Sequence, residues 1–301
     1  IFAGKSYRIM HKSGFVNIIG NPNMGKSTLM NALVGERLSI ITSKAQTTRH
    51  RILGIVNGDD FQIVYSDTPG ILKPNYRLQE SMMKFVQGAL KDADVILYVT
   101  DVVERLDHRN EILDKIARSG IKTILVINKI DLTTPEALEE LVALWREALP
   151  DAEIVPVSAL ENFNIGGLFD RILAALPEGA PFYPKDTLTD KTLRFFASEI
   201  IREKIFLNYD KEVPYSVEIA IDEYKEEPAI DRIAATIYVA RDSQKGILIG
   251  HKGQRLKRVG TAAREDMEQF LGKKVFLQLF VKVNPDWRND DRQLRRFGYI
   301  E

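Results

Sequence analysis

The sequence predicts two unlike domains in tandem: an α/β domain built on a doubly wound, mostly parallel sheet, then a smaller α+β domain. Three observations carry that prediction. Strand-like apolar runs alternate with helix-like segments from Phe15 to about Leu176, the order of a parallel sheet covered by helices on both faces. A glycine-rich segment ending in Lys26-Ser27 lies between the first apolar run and the first helical pattern. Finally, residues 177–184 hold three prolines and a glycine, which break every period and read as a semi-rigid linker. The boundaries expected are residues 10–176, a linker over 177–185, and a second domain with a C-terminal tail over 186–301. Residues 1–9 precede Met10 and read as a non-native leader.

The first strand, Phe15-Val16-Asn17-Ile18-Ile19, runs into Gly20-Asn21-Pro22-Asn23-Met24-Gly25-Lys26-Ser27-Thr28. The glycines let the backbone turn so that successive N–H groups face phosphate oxygens, and the following helix adds its positive end. Lys26 would reach the outer phosphates and Ser27 would place a hydroxyl on Mg²⁺. Next comes a polar connection, Ala45-Gln46-Thr47-Thr48-Arg49, in which one threonine, best Thr48, can offer a hydroxyl to the same ion. The strand Phe61-Gln62-Ile63-Val64-Tyr65 leads to Asp67-Thr68-Pro69-Gly70. Asp67 supplies an acid for the metal shell, and the N–H of Gly70 can sense the terminal phosphate.

The buried-strand run Thr123-Ile124-Leu125-Val126-Ile127 ends in Asn128-Lys129-Ile130-Asp131. A carboxylate there accepts two hydrogen bonds from guanine, whereas adenine offers a lone pair at the ring position, so guanine is selected. After the strand Ile154-Val155-Pro156-Val157 stands Ser158-Ala159-Leu160, where a small residue lets the Ala159 N–H approach the guanine carbonyl. A helix over Leu168–Leu176 closes the domain. These motifs resemble those of the translation-factor-like GTPases, and Lys44-Ala45-Gln46-Thr47-Thr48-Arg49-His50-Arg51 resembles the switch segment of the Era family. The resemblance implies GTP/GDP and Mg²⁺ as ligands, and Asn23 matches the asparagine that holds K⁺ beside the phosphates in a potassium-dependent subset. Position 71 is Ile71, which cannot orient water as a glutamine does in other GTPases, so slow intrinsic hydrolysis is expected.

In the second domain the expected order is a helix over Asp190 to about Phe206, strands over 216–221 and 233–239, a helix ahead of Gly250-His251-Lys252-Gly253, a helix over Gln254–Leu271 and a strand over Val275–Val281. This α-β-β-α-α-β order around G-x-x-G resembles the bacterial, type II, KH domain, whose loop clamps single-stranded RNA. From Gln244 to Arg264 there are six basic residues, Lys245, Lys252, Arg255, Lys257, Arg258 and Arg264, and no acid, a local positive face. Ile249 is the expected apolar loop-edge contact. Phe195-Phe196, Phe276 and Phe280 are expected in the core rather than against bases.

Composition limits the alternatives. Forty-two basic and 42 acidic residues balance, so nucleic-acid binding cannot be inferred from total charge. Absence of cysteine excludes disulfides, thiolate zinc sites and thiol catalysis. His11, His50, His108 and His251 show no ligand spacing. No apolar run reaches the ~20 residues that span a bilayer. The resemblance therefore implies a monomeric, cytoplasmic GTP switch that binds the 3′ end of small-subunit ribosomal RNA and assists maturation of the small ribosomal subunit, with peripheral membrane association a family trait. The alternative is an RNA chaperone whose nucleotide site mainly controls RNA affinity. A metabolic ATP-dependent kinase is disfavoured by Asp131 and by the lack of an acceptor site.

Overall fold

The computed structural model describes residues 11–104 and 111–300. The leader, Met10 and His108 lie outside them. The chain divides into two compact units: one takes the chain up to Ser39, Arg51–Ile71 and Phe85–Asp190, and the other takes Ile40–His50, Leu72–Lys84 and the chain from Lys191.

In the first unit the sheet order is β2-β3-β1-β4-β5-β6, from β1 (Lys12–Ile19), β2 (Ile52–Asn57), β3 (Phe61–Asp67), β4 (Val95–Asp101), β5 (Lys122–Asn128) and β6 (Glu153–Pro156). Only β2 runs antiparallel, against β3; the other pairs are parallel. β4 is buried along its whole length and β5 everywhere but Lys122, because helices on both faces leave a parallel strand no solvent side. Those helices are α1 (Lys26–Val34), α2 (Arg77–Lys91, whose first residues belong to the second unit), α3 (Glu111–Ser119), α4 (Pro135–Ala148) and α5 (Ile165–Ala175). α4 starts where the sequence signals it, with the Thr134 hydroxyl accepting from the Ala137 N–H and Pro135 in the first turn. Sheet order reverses at β1, whose neighbours are β3 and β4, so a crevice opens at the carboxyl ends of these strands.

Residues 177–180, read as the start of a linker, are laid along β1: Ser13 N–H donates to the Pro177 carbonyl at 3.1 Å and Gly179 N–H to that of His11 at 2.9 Å. Proline breaks the helix there, but the freed backbone groups find partners on the exposed end of a strand.

The second unit contains α6 (Leu193–Asn208), β7 (Glu218–Lys225), β8 (Ile230–Val239), α7 (Asp242–Ile249), α8 (Gln254–Leu271), β9 (Lys274–Val283) and α9 (Asp291–Arg296). Its sheet order is β7-β8-β9, antiparallel then parallel. Val259, Ala263 and Met267 recur every fourth residue of α8 and are buried against Ile233, Ile237 and the α6 isoleucines, which turns the basic residues of that helix to solvent. The C-terminal tail returns to this core: Trp287 is buried with its indole N–H on the Ser216 carbonyl, and the Tyr299 hydroxyl donates to Glu218 at 2.7 Å.

Candidate nucleotide and nucleic-acid sites

The first site is built where strands end. Between β1 and α1 the loop turns through Gly25 at φ 86°, and a Cβ there would stand 2.3 Å from the Asn128 side-chain nitrogen. At Gly20 a Cβ would lie 2.1 Å from the Val99 carbonyl oxygen, so β4 presses on the loop and only glycine fits. Asn128, at the end of β5, donates to the Met24 carbonyl at 2.9 Å and accepts from the Ala159 N–H at 3.0 Å. One amide thus ties the phosphate loop to the loop after β6. Lys129, itself at φ 61°, donates to the Asn23 carbonyl and to Asp101, both at 2.6 Å.

Lys26 is buried, and its ammonium donates to the Asn21 carbonyl at 2.8 Å. Loss of hydration pulls its pKa down to about 8, against the opposing pull of Asp67 and Glu104. Ser27 donates to a carboxylate oxygen of Asp67 at 2.7 Å, so a hydroxyl and a carboxylate converge at the head of α1. That hard-oxygen pair suits Mg²⁺, which keeps several waters and takes few protein ligands. Gly70 approaches the loop so closely that a Cβ would be 2.8 Å from Pro22 Cα, and the Ile71 N–H donates to the Gly20 carbonyl at 3.1 Å. Asp131 is exposed and accepts from the Ser158 hydroxyl at 2.5 Å. Ala159 is buried beneath an exposed Leu160. Asn21, Pro22, Asn23, Met24, Gly25, Lys26, Ser27, Thr28, Asp67, Gly70, Asn128, Lys129, Asp131, Ser158, Ala159 and Leu160 therefore fall in one unit, at or just past the carboxyl ends of its strands.

Thr48 falls elsewhere. The segment Ile40–His50 belongs to the second unit, where Thr48 is buried and Arg49 is fully enclosed. One guanidinium nitrogen of Arg49 donates to the Val217 carbonyl at 2.7 Å and lies 3.3 Å from Glu218, while the other donates to the carbonyls of Pro214 and Tyr215. Lys44 donates to the Phe206 carbonyl at 2.6 Å and pairs with Asp210 at 2.8 Å. His50 stacks on Tyr299 at 4.2 Å, and burial, with Arg202, Lys191 and Arg49 nearby, pushes its pKa down to about 3. Sequence reasoning also missed Asp101 and Glu104. Asp101 orients Lys129, and Glu104 accepts from Asn21 and Thr100. The signal was there to find, because Asp101 ends an apolar strand as Asp67 and Asn128 do.

The second site surrounds the turn between α7 and α8. Gly250 and Gly253 sit at φ 69° and 75°, with Lys252 at 49°. The aliphatic part of Arg255 covers Gly250, whereas a Cβ on Gly253 would meet nothing within 4 Å. His251, Lys252, Arg255, Lys257 and Arg258 are exposed, and Lys245 and Ile249 half-buried. A cleft of about 740 Å³ opens beside the loop, lined in part by Arg255, Arg258, Lys211 and Ile247. Arg264 turns away to pair with Glu268 at 2.9 Å. Phe196 is core as expected, but Phe276 and Phe280 are 43% and 50% exposed. On β9 it is the valines and leucines that face the helices, and so the phenylalanines face outward.

Comparison with known proteins finds a family for each unit. Residues 15–129 match the family described as 50S ribosome-binding GTPase, and residues 212–288 match the KH domain family. GTPase Era of Syntrophus aciditrophicus is 46% identical over 97% of both chains. GTPase Era of Staphylococcus haemolyticus is 45% identical over 97% of this chain and 98% of its own. A crystal structure of Era with MgGDPNP and nucleotides 1506–1542 of 16S ribosomal RNA superposes with a TM-score of 0.92 at 43% identity, covering 97% of this chain and all of that one. Aquifex aeolicus Era bound to GDP and aluminium fluoride superposes equally well, at 43% identity over 96% of this chain and all of that one.

Proposed function

This chain belongs to the Era family of GTPases, and we propose that it couples GTP hydrolysis in its first unit to the reading of single-stranded ribosomal RNA by its second. The observation that carries this reading is the convergence of phosphate loop, Ser27–Asp67 pair and Asp131 at the carboxyl ends of neighbouring strands. The chain hydrolyses GTP. Loop amides and Lys26 bind and orient the phosphates, and Asp131 reads guanine; the Ala159 N–H, expected on the guanine carbonyl, is instead donated to Asn128. Mg²⁺, held by Ser27 and Asp67, would supply positive charge to the phosphate oxygens. Ile71 offers no group to position water, so we assign the missing electrostatic help to K⁺ beside Asn23. Hydrolysis is expected to run faster in K⁺ than in Na⁺ at matched ionic strength, and Asn23→Ala to remove most of the difference while leaving GTP affinity intact. Equal rates in both salts would end the K⁺ assignment.

The RNA is proposed to be the 3′ region of small-subunit ribosomal RNA, and the role to be maturation of the small subunit in the cytoplasm. One matching family is described by the large subunit. The full-length likeness to a protein holding a 16S segment favours the small one. Crosslinking the full chain to total cellular RNA with GTP, then sequencing, should recover the 3′ end of 16S RNA. Recovery chiefly of large-subunit RNA would overturn the proposal.

A further inference from the structure

The outward face of β9 reads Lys274, Phe276, Gln278, Phe280, Lys282, and all five side chains are exposed. The inward residues of the same strand, Val275, Leu277, Leu279, Val281 and Val283, pack on the core that α8 closes. The five outward residues therefore lie across the sheet from that helix. β9 is the last strand of the sheet. Its neighbour β8 places Arg232 beside Phe276, with the guanidinium 5.5 Å from the ring centroid, and the small Ala234 beside Gln278. Further along β8, Tyr238 is covered by Arg296 and Phe297. On the other side of β8 the exposed Glu223 of β7 stands beside Ala234, and Glu227 pairs with Arg232 at 3.1 Å. The open area thus takes in β9 and Arg232 and ends at this acidic rim.

We propose that this face is a second single-stranded RNA contact, on which bases stack against Phe276 and Phe280, Gln278 reads a base edge, and Lys282 meets a phosphate, with Lys274 and Arg232 exchanging their partners Glu268 and Glu227 for phosphates. The chemistry favours RNA over an apolar partner. The two rings are separated by an amide and flanked by cations, no acid stands among the five outward residues of the strand, and same-face positions four apart lie roughly 13 Å from one another. That spacing suits separate bases of an extended strand better than one apolar anchor. An aromatic ring in a basic track is the sequence-tolerant platform that single-strand binders use. The proposal rests on the RNA reading of the second unit and extends it from a loop that clamps about four nucleotides to a longer footprint.

The test uses the full chain and two unstructured RNAs, one of about four nucleotides, the reach of the loop alone, and one about three times as long. The double variant Phe276→Ala/Phe280→Ala should bind the short strand as the parent does and the long strand on the order of tenfold or more weakly. Phe280→Trp should keep the long-strand affinity and Phe280→Leu should lose part of it, because stacking needs a π face and not merely an apolar one. Unchanged long-strand affinity in the double variant would overturn the proposal. So would a loss equal for both strands, which places the effect at the loop, or a change in self-association without loss of RNA binding, which makes the face a contact between copies. If the parent bound neither strand, the RNA reading itself would fall.

Discussion

The molecule holds two glycine loops at helix starts, and they handle phosphate in opposite ways. Gly25 and Gly253 each precede a helix in the left-handed region, at φ 86° and 75°. Around Gly25 the space is taken: Asn128 stands 2.3 Å from where a Cβ would be, and the same amide fixes the Met24 carbonyl. Around Gly253 there is open space. The first loop is a finished cradle, its surrounding space already filled by Asn128, as tight binding of one compact polyanion requires. The second is a rim, open on one side, along which a chain of phosphates can pass. Left-handed backbone is common to both; what differs is how much of the surrounding space is already filled.

The contrast breaks most clearly on alanine. Gly25→Ala forces a Cβ into Asn128 and should abolish measurable GTP binding, a loss of more than about 3 kcal/mol from strain and a broken amide bridge combined; titration with a fluorescent GTP analogue at near-normal affinity would refute the finished-cradle account. Asp131→Asn is expected to cost about 2–4 kcal/mol for GTP and to shift preference toward XTP, whose carbonyl can accept from the new amide. Competition among GTP, ATP and XTP reads this directly, and unchanged GTP affinity would remove Asp131 as reader. At the open loop, Gly253→Asp should weaken single-stranded RNA by about 2 kcal/mol through charge repulsion, while Gly253→Ala should cost stability about 1 kcal/mol and RNA affinity little. Filter binding with circular dichroism separates these, and equal losses for the two variants would mean that the rim is no more open than the cradle. The smallest effect concerns protons. Because burial holds the Lys26 pKa down at about 8, the amine loses its charge as pH rises through 8, so GTP affinity should fall above that pH and binding there should take up part of a proton. Calorimetry at a pH of about 8.5, just above that value, in buffers of different ionisation enthalpy checks the sign; proton release would contradict it.

The sequence made the first unit legible because each motif stood directly after the apolar run that positions it. β1, β3 and β5 fall where those runs placed them, and α8 spans Gln254–Leu271 as expected. What stayed hidden depended on partners distant along the chain. Both faces of β9 carry large apolar residues, and Phe276 and Phe280 were assigned to the core although Lys274, Gln278 and Lys282 share their face. Arg49 reads as one more basic residue in a polar connection, and only the fold reveals carbonyls of residues 214, 215 and 217 around it. Trp287 and Tyr299 lie past the last patterned strand, where no local period announces that a tail returns to the core.

Burial of Lys26 also bears on how long the protein lasts. A buried ammonium carries a desolvation cost, and bound phosphates offset it. Nucleotide is therefore also a folding ligand: at a concentration about 100 times its Kd it adds about 2.7 kcal/mol to stability. In a cell rich in guanine nucleotide, proteases would meet the empty chain chiefly when that supply runs low, so abundance of the protein would itself report on the nucleotide pool.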